Sequence, residues 1–278
     1  MKKENVVKKS VTDKDTLIKI FNKTRLLSKT LYDLDTKALK NKTKIYVDLE
    51  SKPVANIPST VTFMVGGTLE IGTKFVDKYH TALLNFADGV KPGGLPEYGV
   101  LTQEENLCRC TNMYEVLISD KCDAEYYSVN KEFDNFGLCT DRVMYLPDVA
   151  IFRDDITYDM VKTKYADIIT CPAPSCGFKD DSFALSVYNK RIEQIILSAI
   201  DNNVECLVLG AWGCGAFAQD PHLIASAFVN NLNKYSGYFE KVIFAIKSTP
   251  GYGTSNSSYS IFLNSFKNEY NGLVIEGE

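Results

Sequence analysis

The chain has 278 residues, of which 45% are hydrophobic and 24% charged, a composition typical of a soluble globular protein with a sizeable core. Its formal net charge of −4 and pI near 5.4 argue against binding nucleic acid through a broad positive field. We therefore expect any polyanionic ligand to be held by local backbone donors. No apolar run approaches the roughly 18 residues that span a bilayer, so the sequence predicts a soluble, cytoplasmic protein without a membrane segment.

The predicted elements begin with a segment, residues 1–56, that we interpret as a helical N-terminal extension. Its main feature is an amphipathic helix over residues 12–30, with Thr12 as the expected N-cap. Residues 44–50 alternate in polarity as a strand does. Strands are then predicted over 61–65 and 80–86, helices over 68–76 and 103–118, and a polar, aromatic excursion over 119–140.

The second half of the chain alternates strands with helices. Strands are predicted over 142–151, 166–171, 205–209 and 242–246, and helices over 182–200, 220–232 and 255–266. The strands are continuous apolar runs, as expected when helices cover both faces of a sheet. The pattern predicts an α/β fold with a largely buried sheet, in one domain over residues 57–278.

The eight cysteines and two histidines do not form a strong metal signature. No CxxC pair occurs, and the Cys108-x-Cys110 and Cys171-x4-Cys176 spacings are weak as zinc motifs. We expect free thiols in a reducing compartment, no metal and no cofactor.

The most informative stretch is LNFADGVKPGG, residues 84–94, followed at residue 103 by Gln-Glu-Glu. An apolar strand ends here in a glycine turn, and the two adjacent acids Glu104 and Glu105 open a helix. Carboxylates beside a glycine-rich turn at a helix N-terminus form a plausible acid/base site facing a bound anion.

A second glycine-rich loop, GAWGCGAFAQDP over residues 210–221, follows another apolar strand. Its backbone amides can converge on phosphate oxygens, although the spacing matches neither GxGxxG nor a P-loop. A tight turn that merely needs glycine is the alternative. Three strands run into Gly- or Pro-rich loops, and ligands of open α/β sheets bind at the carboxyl ends of strands. The sequence thus predicts a pocket for a phosphate-bearing small molecule.

These residues resemble the macrodomain-type poly(ADP-ribose) glycohydrolases, particularly their shorter microbial branch. The family signature of a glycine triplet, a short spacer and Gln-Glu-Glu stands here as Gly93-Gly94-Leu95, seven residues, and Gln103-Glu104-Glu105. LNFA before the glycines, ENLCR after them and VLGAWGCGAF further on also resemble the branch. The resemblance implies a three-layer α/β/α macrodomain-like sandwich with a mixed central sheet that binds ADP-ribose.

The resemblance also implies residue roles. Glu105 matches the catalytic acid and Glu104 its partner, which orients ribose hydroxyls, while Gln103 would hold the loop. Gly213, Cys214, Gly215 and Ala216 would wrap the diphosphate, and Phe217 would pack against the ribose. Further substrate-binding positions are implied at the strand end and glycine turn: Asn85, Ala87, Asp88, Gly93 and Gly94.

The expected activity is hydrolysis of the ribose O-glycosidic bond of poly(ADP-ribose) or ADP-ribosylated targets. The chain departs from the family pattern at Leu95, which replaces the third glycine, and at Asp88, which would repel phosphate unless paired with Lys91 or Arg109. These departures keep open a non-catalytic ADP-ribose reader, and hydrolysis of another ADP-ribose derivative is a third option. The expected partners are ADP-ribose or poly(ADP-ribose) on modified proteins, bound by a monomer, with no sequence-specific nucleic acid.

Overall fold

The computed structural model describes residues 10–133, 136–247 and 257–277. In these ranges one sheet contains eight strands: β1 Lys44–Tyr46, β2 Val61–Val65, β3 Thr81–Ala87, β4 Val143–Arg153, β5 Met160–Pro172, β6 Cys206–Leu209, β7 Lys241–Ile246 and β8 Val274–Glu276. The helices are α1 Lys14–Lys29, α2 Asp33–Lys42, α3 Thr68–Gly72, α4 Gln103–Cys110, α5 Tyr114–Leu117, α6 Asp120–Cys122, α7 Ser128–Phe133, α8 Asp181–Asp201, α9 Pro221–Tyr235 and α10 Ser258–Glu269.

The sheet order is β1-β4-β5-β3-β6-β7-β2-β8. β4 runs antiparallel to both β1 and β5, and the other neighbouring pairs are parallel, so the sheet is mixed. β3 lies at the centre between β5 and β6. The carboxyl ends of these three strands therefore lie side by side, and we call this the carboxyl edge of the sheet.

Each face of the sheet is covered by its own hydrophobic core. Successive side chains of β3 alternate between the two: Leu84 packs with α8, α9 and α10, whereas Leu83 packs with the helices from α1 to α5. Because both faces are covered at the centre of the sheet, β3, β6 and β7 are largely apolar and buried. The predicted three-layer α/β/α sandwich is confirmed.

Several predicted boundaries were wrong. Asp13 caps α1 in place of Thr12, since its carboxylate accepts the Thr16 N–H at 2.9 Å. The helix predicted over 103–118 is interrupted between α4 and α5, because Asn112 pairs with Ala150 of β4 through both its backbone N–H and its side-chain oxygen. The first strand ends at Tyr46.

Three described features were missed: α2, β8 and the helical content of the 119–140 excursion. That excursion contains α6, a π-helix over Asp123–Tyr127 and α7. Its aromatic side chains at Tyr126 and Tyr127 are buried in the core. The first residues of the last predicted helix, 255 and 256, lie outside the described residues.

The N-terminal segment packs on the same core as α4. Leu17, Phe21 and Leu39 are buried there, and β1 pairs with β4 at the edge of the sheet. The division of the chain at residue 56 remains a prediction. Where the structure describes the chain, no helix is both long and apolar enough to cross a membrane.

Candidate active site

The first predicted motif lies at the carboxyl end of β3, next to the loop that follows β6. A Cβ added to Gly210 would lie 2.7 Å from the Phe86 ring, so the β6 loop begins in contact with the end of β3. The indole N–H of Trp212 donates to the Cys171 carbonyl at 2.9 Å, which fixes the same loop to the end of β5. The two glycine-rich loops therefore lie at one edge of the sheet.

Gln103 joins the start of α4 to β3. Its side-chain oxygen accepts the Phe86 N–H at 2.8 Å, and its side-chain nitrogen donates to the Leu84 carbonyl at 2.8 Å. The amide thus bonds the strand much as a neighbouring strand would. This contact places Glu104 and Glu105 at the strand end.

Glu104 is 3% exposed and both of its oxygens accept hydrogen bonds. Oε1 accepts from Asn85 Nδ2 at 3.0 Å, and Oε2 accepts from the Asp88 N–H at 2.7 Å. Burial raises the pKa of Glu104 well above its ordinary value, while these hydrogen bonds oppose that shift. The Asn85 side-chain oxygen is buried and has no hydrogen-bond partner within the described residues.

Glu105 is 5% exposed and faces the glycine turn. Its Oε1 accepts the Leu95 N–H at 3.0 Å, and its Oε2 accepts the Thr102 hydroxyl. Burial raises the pKa of Glu105, and the Leu95 hydrogen bond and the positive charge of Arg109 oppose that rise. A carboxyl with a raised pKa can keep its proton at higher pH and donate it to a reacting oxygen.

The glycine turn needs glycine at two positions of the triplet. Gly93 and Gly94 have φ of 73° and 71°, a region that side chains disfavour. Leu95 has φ of −129°, which any residue adopts. The backbone therefore accommodates the departure from the family pattern at Leu95.

Within the described residues, Asp88 forms no ion pair with the side chain of Lys91 or Arg109. The Asp88 carboxylate accepts hydrogen bonds from the backbone N–H groups of Val90 and Lys91 at 2.8 and 2.9 Å. Its negative charge is therefore stabilised by donors within the same loop. Arg109 instead donates to the Val100 carbonyl. Ala87, the last residue of β3, is buried and pairs with Pro172 of β5.

Gly215 and Ala216 of the second loop are exposed residues. Gly213 has φ of 79°, and its carbonyl accepts the Gln219 N–H at 3.0 Å, which closes the loop. A Cβ added to Gly215 would contact nothing within 4 Å. Within the described residues, no acceptor pairs with the N–H groups of Gly215, Ala216 or Phe217.

The side chains of this loop face different surroundings. Phe217 is half-buried against the core that α8 and α9 share. Burial raises the pKa of the Cys214 thiol, which disfavours the thiolate that a nucleophilic cysteine requires.

Sequence reasoning missed Thr102, whose hydroxyl reaches Glu105, and Thr170, which accepts from Asn85 at 3.3 Å. Thr102 had a usable signal, since it stands three residues before Glu105 at the N-cap position of α4. Thr170 had none, because it is brought to Asn85 by strand pairing between β3 and β5.

A cleft of about 310 Å³ lies at the amino end of β3, opposite the predicted site, and contains none of the predicted site residues. There the His80 ring nitrogen Nε2 lies 2.6 Å from Asp167, and Asp167 also accepts the Asp148 N–H at 2.8 Å. These polar groups bond one another, as expected of a structural cluster.

Comparison with known proteins gives a consistent result. The family model described as "Microbial-type PARG, catalytic domain" matches residues 14–154. A poly(ADP-ribose) glycohydrolase (PARG) structure from Deinococcus radiodurans in complex with ADP-ribose is 27% identical, covers 84% of this chain and 97% of that chain, and has a TM-score of 0.72.

Two structures of the Thermomonospora curvata PARG, one of them bound to the inhibitor ADP-HPD, support the fold. Each is 22% identical and covers 91% of this chain and 100% of that chain, with TM-scores of 0.77 and 0.76. A search of curated proteins found no significant match. Because the family model spans half of its length, the chain belongs to the microbial-type PARG catalytic-domain family.

Proposed function

We propose that this protein is a hydrolase that cleaves the ribose O-glycosidic bond of poly(ADP-ribose) and releases ADP-ribose. The observation that carries the proposal is the buried carboxyl of Glu105, which faces a glycine turn at the same sheet edge as a loop of exposed backbone amides. The D. radiodurans relative was crystallised with ADP-ribose, in agreement with this ligand class.

In the proposed reaction, protonated Glu105 gives its proton to the leaving oxygen as the bond from that oxygen to the anomeric carbon breaks. An oxocarbenium-like transition state develops on the ribose. Water then forms the new bond to the anomeric carbon and returns a proton to Glu105. One residue serves both steps, because the two acids are adjacent in sequence and so do not flank the sugar from opposite sides as the usual glycosidase pair does.

The remaining site residues are proposed to bind the substrate. Glu104 orients ribose hydroxyls, and Phe217 packs against the ribose. Backbone amides from Gly213 to Ala216 bind the diphosphate, as anions bind to convergent N–H groups. The Cys214 N–H would share its proton between the ligand and the Ala211 carbonyl, to which it donates at 3.2 Å. The strand end and turn complete the pocket through Asn85, Ala87, Asp88, Gly93, Gly94 and Gln103.

Gly215→Asp is expected to raise the Kd for ADP-ribose by about 10- to 100-fold, because a carboxylate would face the diphosphate at a point where nothing else contacts a new side chain. Isothermal titration calorimetry measures the change. The matched control is Gly215→Asn, which has the same size without the charge and should lose less than about threefold. Equal losses in the two variants would contradict a diphosphate at this loop.

Turnover is expected to fall as pH rises through the pKa of Glu105, because the first step needs the protonated carboxyl. Burial raises that pKa above its ordinary value of 4.5, so the fall begins at a correspondingly higher pH. A kcat profile from pH 4 to 9 with poly(ADP-ribose) measures it. A profile that rises across this whole range would contradict general-acid catalysis by Glu105.

The experiment that tests the function is incubation with labelled poly(ADP-ribose) and with mono-ADP-ribosylated proteins, with and without EDTA. Free ADP-ribose is the expected product from the polymer. The second candidate, motivated from the sequence by the departures at Leu95 and Asp88, is a reader that binds ADP-ribose without cleaving it. Tight binding without product from either substrate would select the reader, and product from another ADP-ribose derivative alone would select the third option.

We also propose that the protein acts as a monomer in the cytoplasm on ADP-ribosylated proteins. Its formal net charge of −4 supports recognition through local amides in place of a general attraction to nucleic acid. Light scattering at working concentration tests the oligomeric state.

A further inference from the structure

Arg109 is a buried cation that the proposed reaction does not yet use. It lies on α4 four residues after Glu105, so the two side chains share one face of the helix. Its exposed fraction is 0%, and its Nε and Nη1 have no hydrogen-bond partner within the described residues. No carboxylate in that part of the chain forms an ion pair with it. A buried guanidinium without a counter-ion is unfavourable for folding, which points to a functional reason for its position.

The Arg109 side chain binds the segment that also binds Glu105. Its Nη2 donates to the Val100 carbonyl, in the segment over residues 95–102 that links the glycine turn to α4. The Leu95 N–H at one end of this segment and the Thr102 hydroxyl at the other both donate to Glu105. Arg109 therefore fixes the backbone between the two donors to the catalytic carboxyl.

We propose that Arg109 is a positioning residue for Glu105. It holds the segment over residues 95–102 in place, and its positive charge balances the negative charge that Glu105 acquires when it gives up its proton. The inference rests on the proposed function, because it assigns Arg109 to the same proton cycle. Within the described residues Arg109 has the Val100 carbonyl and the Tyr158 ring as neighbours but no carboxylate partner, and this is then explained because the counter-charge appears on Glu105 during the reaction.

The charges around Glu105 come from several elements. Burial raises the pKa of Glu105, Arg109 lowers it and Asp88 raises it. The charged groups on α4 and on the elements packed against it also include Glu104, Glu97 in the 3-10 turn over Pro96–Tyr98, Arg153 of β4, and Lys14 of α1, whose backbone lies against Gly99. Removal of the Arg109 charge leaves burial and the acids dominant, so Glu105 should keep its proton to higher pH.

The test compares Arg109→Met, which removes the charge, with Arg109→Lys, which keeps it. In the ligand-free protein, carbon-13 NMR follows the titration of the Glu105 carboxyl, which is assigned through Glu105→Gln. We expect the midpoint to rise by about one pH unit or more in Arg109→Met and to stay within about 0.3 unit in Arg109→Lys. On poly(ADP-ribose), kcat should fall about 10- to 100-fold in Arg109→Met, with partial recovery in Arg109→Lys.

An unchanged midpoint in folded Arg109→Met would overturn the proposal, because a merely structural arginine would lower kcat without moving the titration. If Arg109→Met does not fold, hydrogen exchange in Arg109→Lys decides. Amide protection over residues 95–102 should drop at least about threefold, and unchanged protection would overturn the proposal. Titration and exchange need no turnover. A protein that binds ADP-ribose without cleaving it would contradict the proposed function, while these two readouts would still decide the role of Arg109.

Discussion

Glu105→Gln is expected to lower kcat for ADP-ribose release by about 10²- to 10⁴-fold, the usual contribution of a general acid/base. The glutamine amide has nearly the shape of the carboxyl, and its oxygen can accept the Leu95 N–H while its nitrogen donates to the Thr102 hydroxyl, which can rotate to accept. Binding of ADP-ribose should therefore stay within about an order of magnitude. Single-turnover kinetics and calorimetry separate the two effects.

Glu97→Gln is the matched control for this experiment, because Glu97 is an exposed glutamate in the 3-10 turn close to the same segment. It removes one negative charge near the site and leaves both donors to Glu105 in place. We expect its kcat to stay within about twofold of the parent. Parental turnover in Glu105→Gln would show that the assignment of the general acid is wrong.

Gly94→Ala is expected to lower both activity and stability. The new Cβ would overlap Glu105 Oε1 and lie 2.9 Å from Glu105 Cδ, and the residue would have to keep φ near 71°. A left-handed conformation costs a side-chain-bearing residue about 1–2 kcal/mol. Displacement of the carboxyl should also reduce kcat about 100-fold, since catalysis depends on such alignment. Thermal unfolding and turnover assays measure the two losses.

Gly177→Ala is the matched control for stability, because a Cβ at Gly177 would contact nothing within 4 Å and its φ lies outside the left-handed region. Its melting temperature should change by less than about 2 °C. A Gly94→Ala protein with parental melting temperature and turnover would show that Glu105 does not depend on the close approach of this turn.

The layered fold could be predicted from sequence because strands buried on both faces are continuously apolar and helices show their own period. The resemblance to the PARG family was confirmed by the family match. The roles of Glu105 and the diphosphate loop remain predictions. Their placement at one sheet edge followed from the rule that parallel strands bring their carboxyl ends together.

The remaining features depend on contacts between distant parts of the chain. The interruption between α4 and α5 depends on Asn112 reaching β4, which no local pattern encodes. The backbone pairing of Asp88 was missed because its charge suggested an ion pair, whereas a short acidic side chain in a turn often accepts N–H groups nearby. The burial of Arg109 could not be predicted, since nothing local indicates that α1 and β4 pack around α4.

The outer edge of β4 is occupied by two pieces of the same chain. β1 pairs with its first residues, from Val143 to Tyr145, and Asn112 bonds Ala150 further along. An uncovered strand of this length would offer unpaired backbone groups to other molecules and promote aggregation. Removal of the residues up to Tyr46 would uncover β4 from Val143 to Tyr145, and the truncated protein is therefore expected to self-associate more readily.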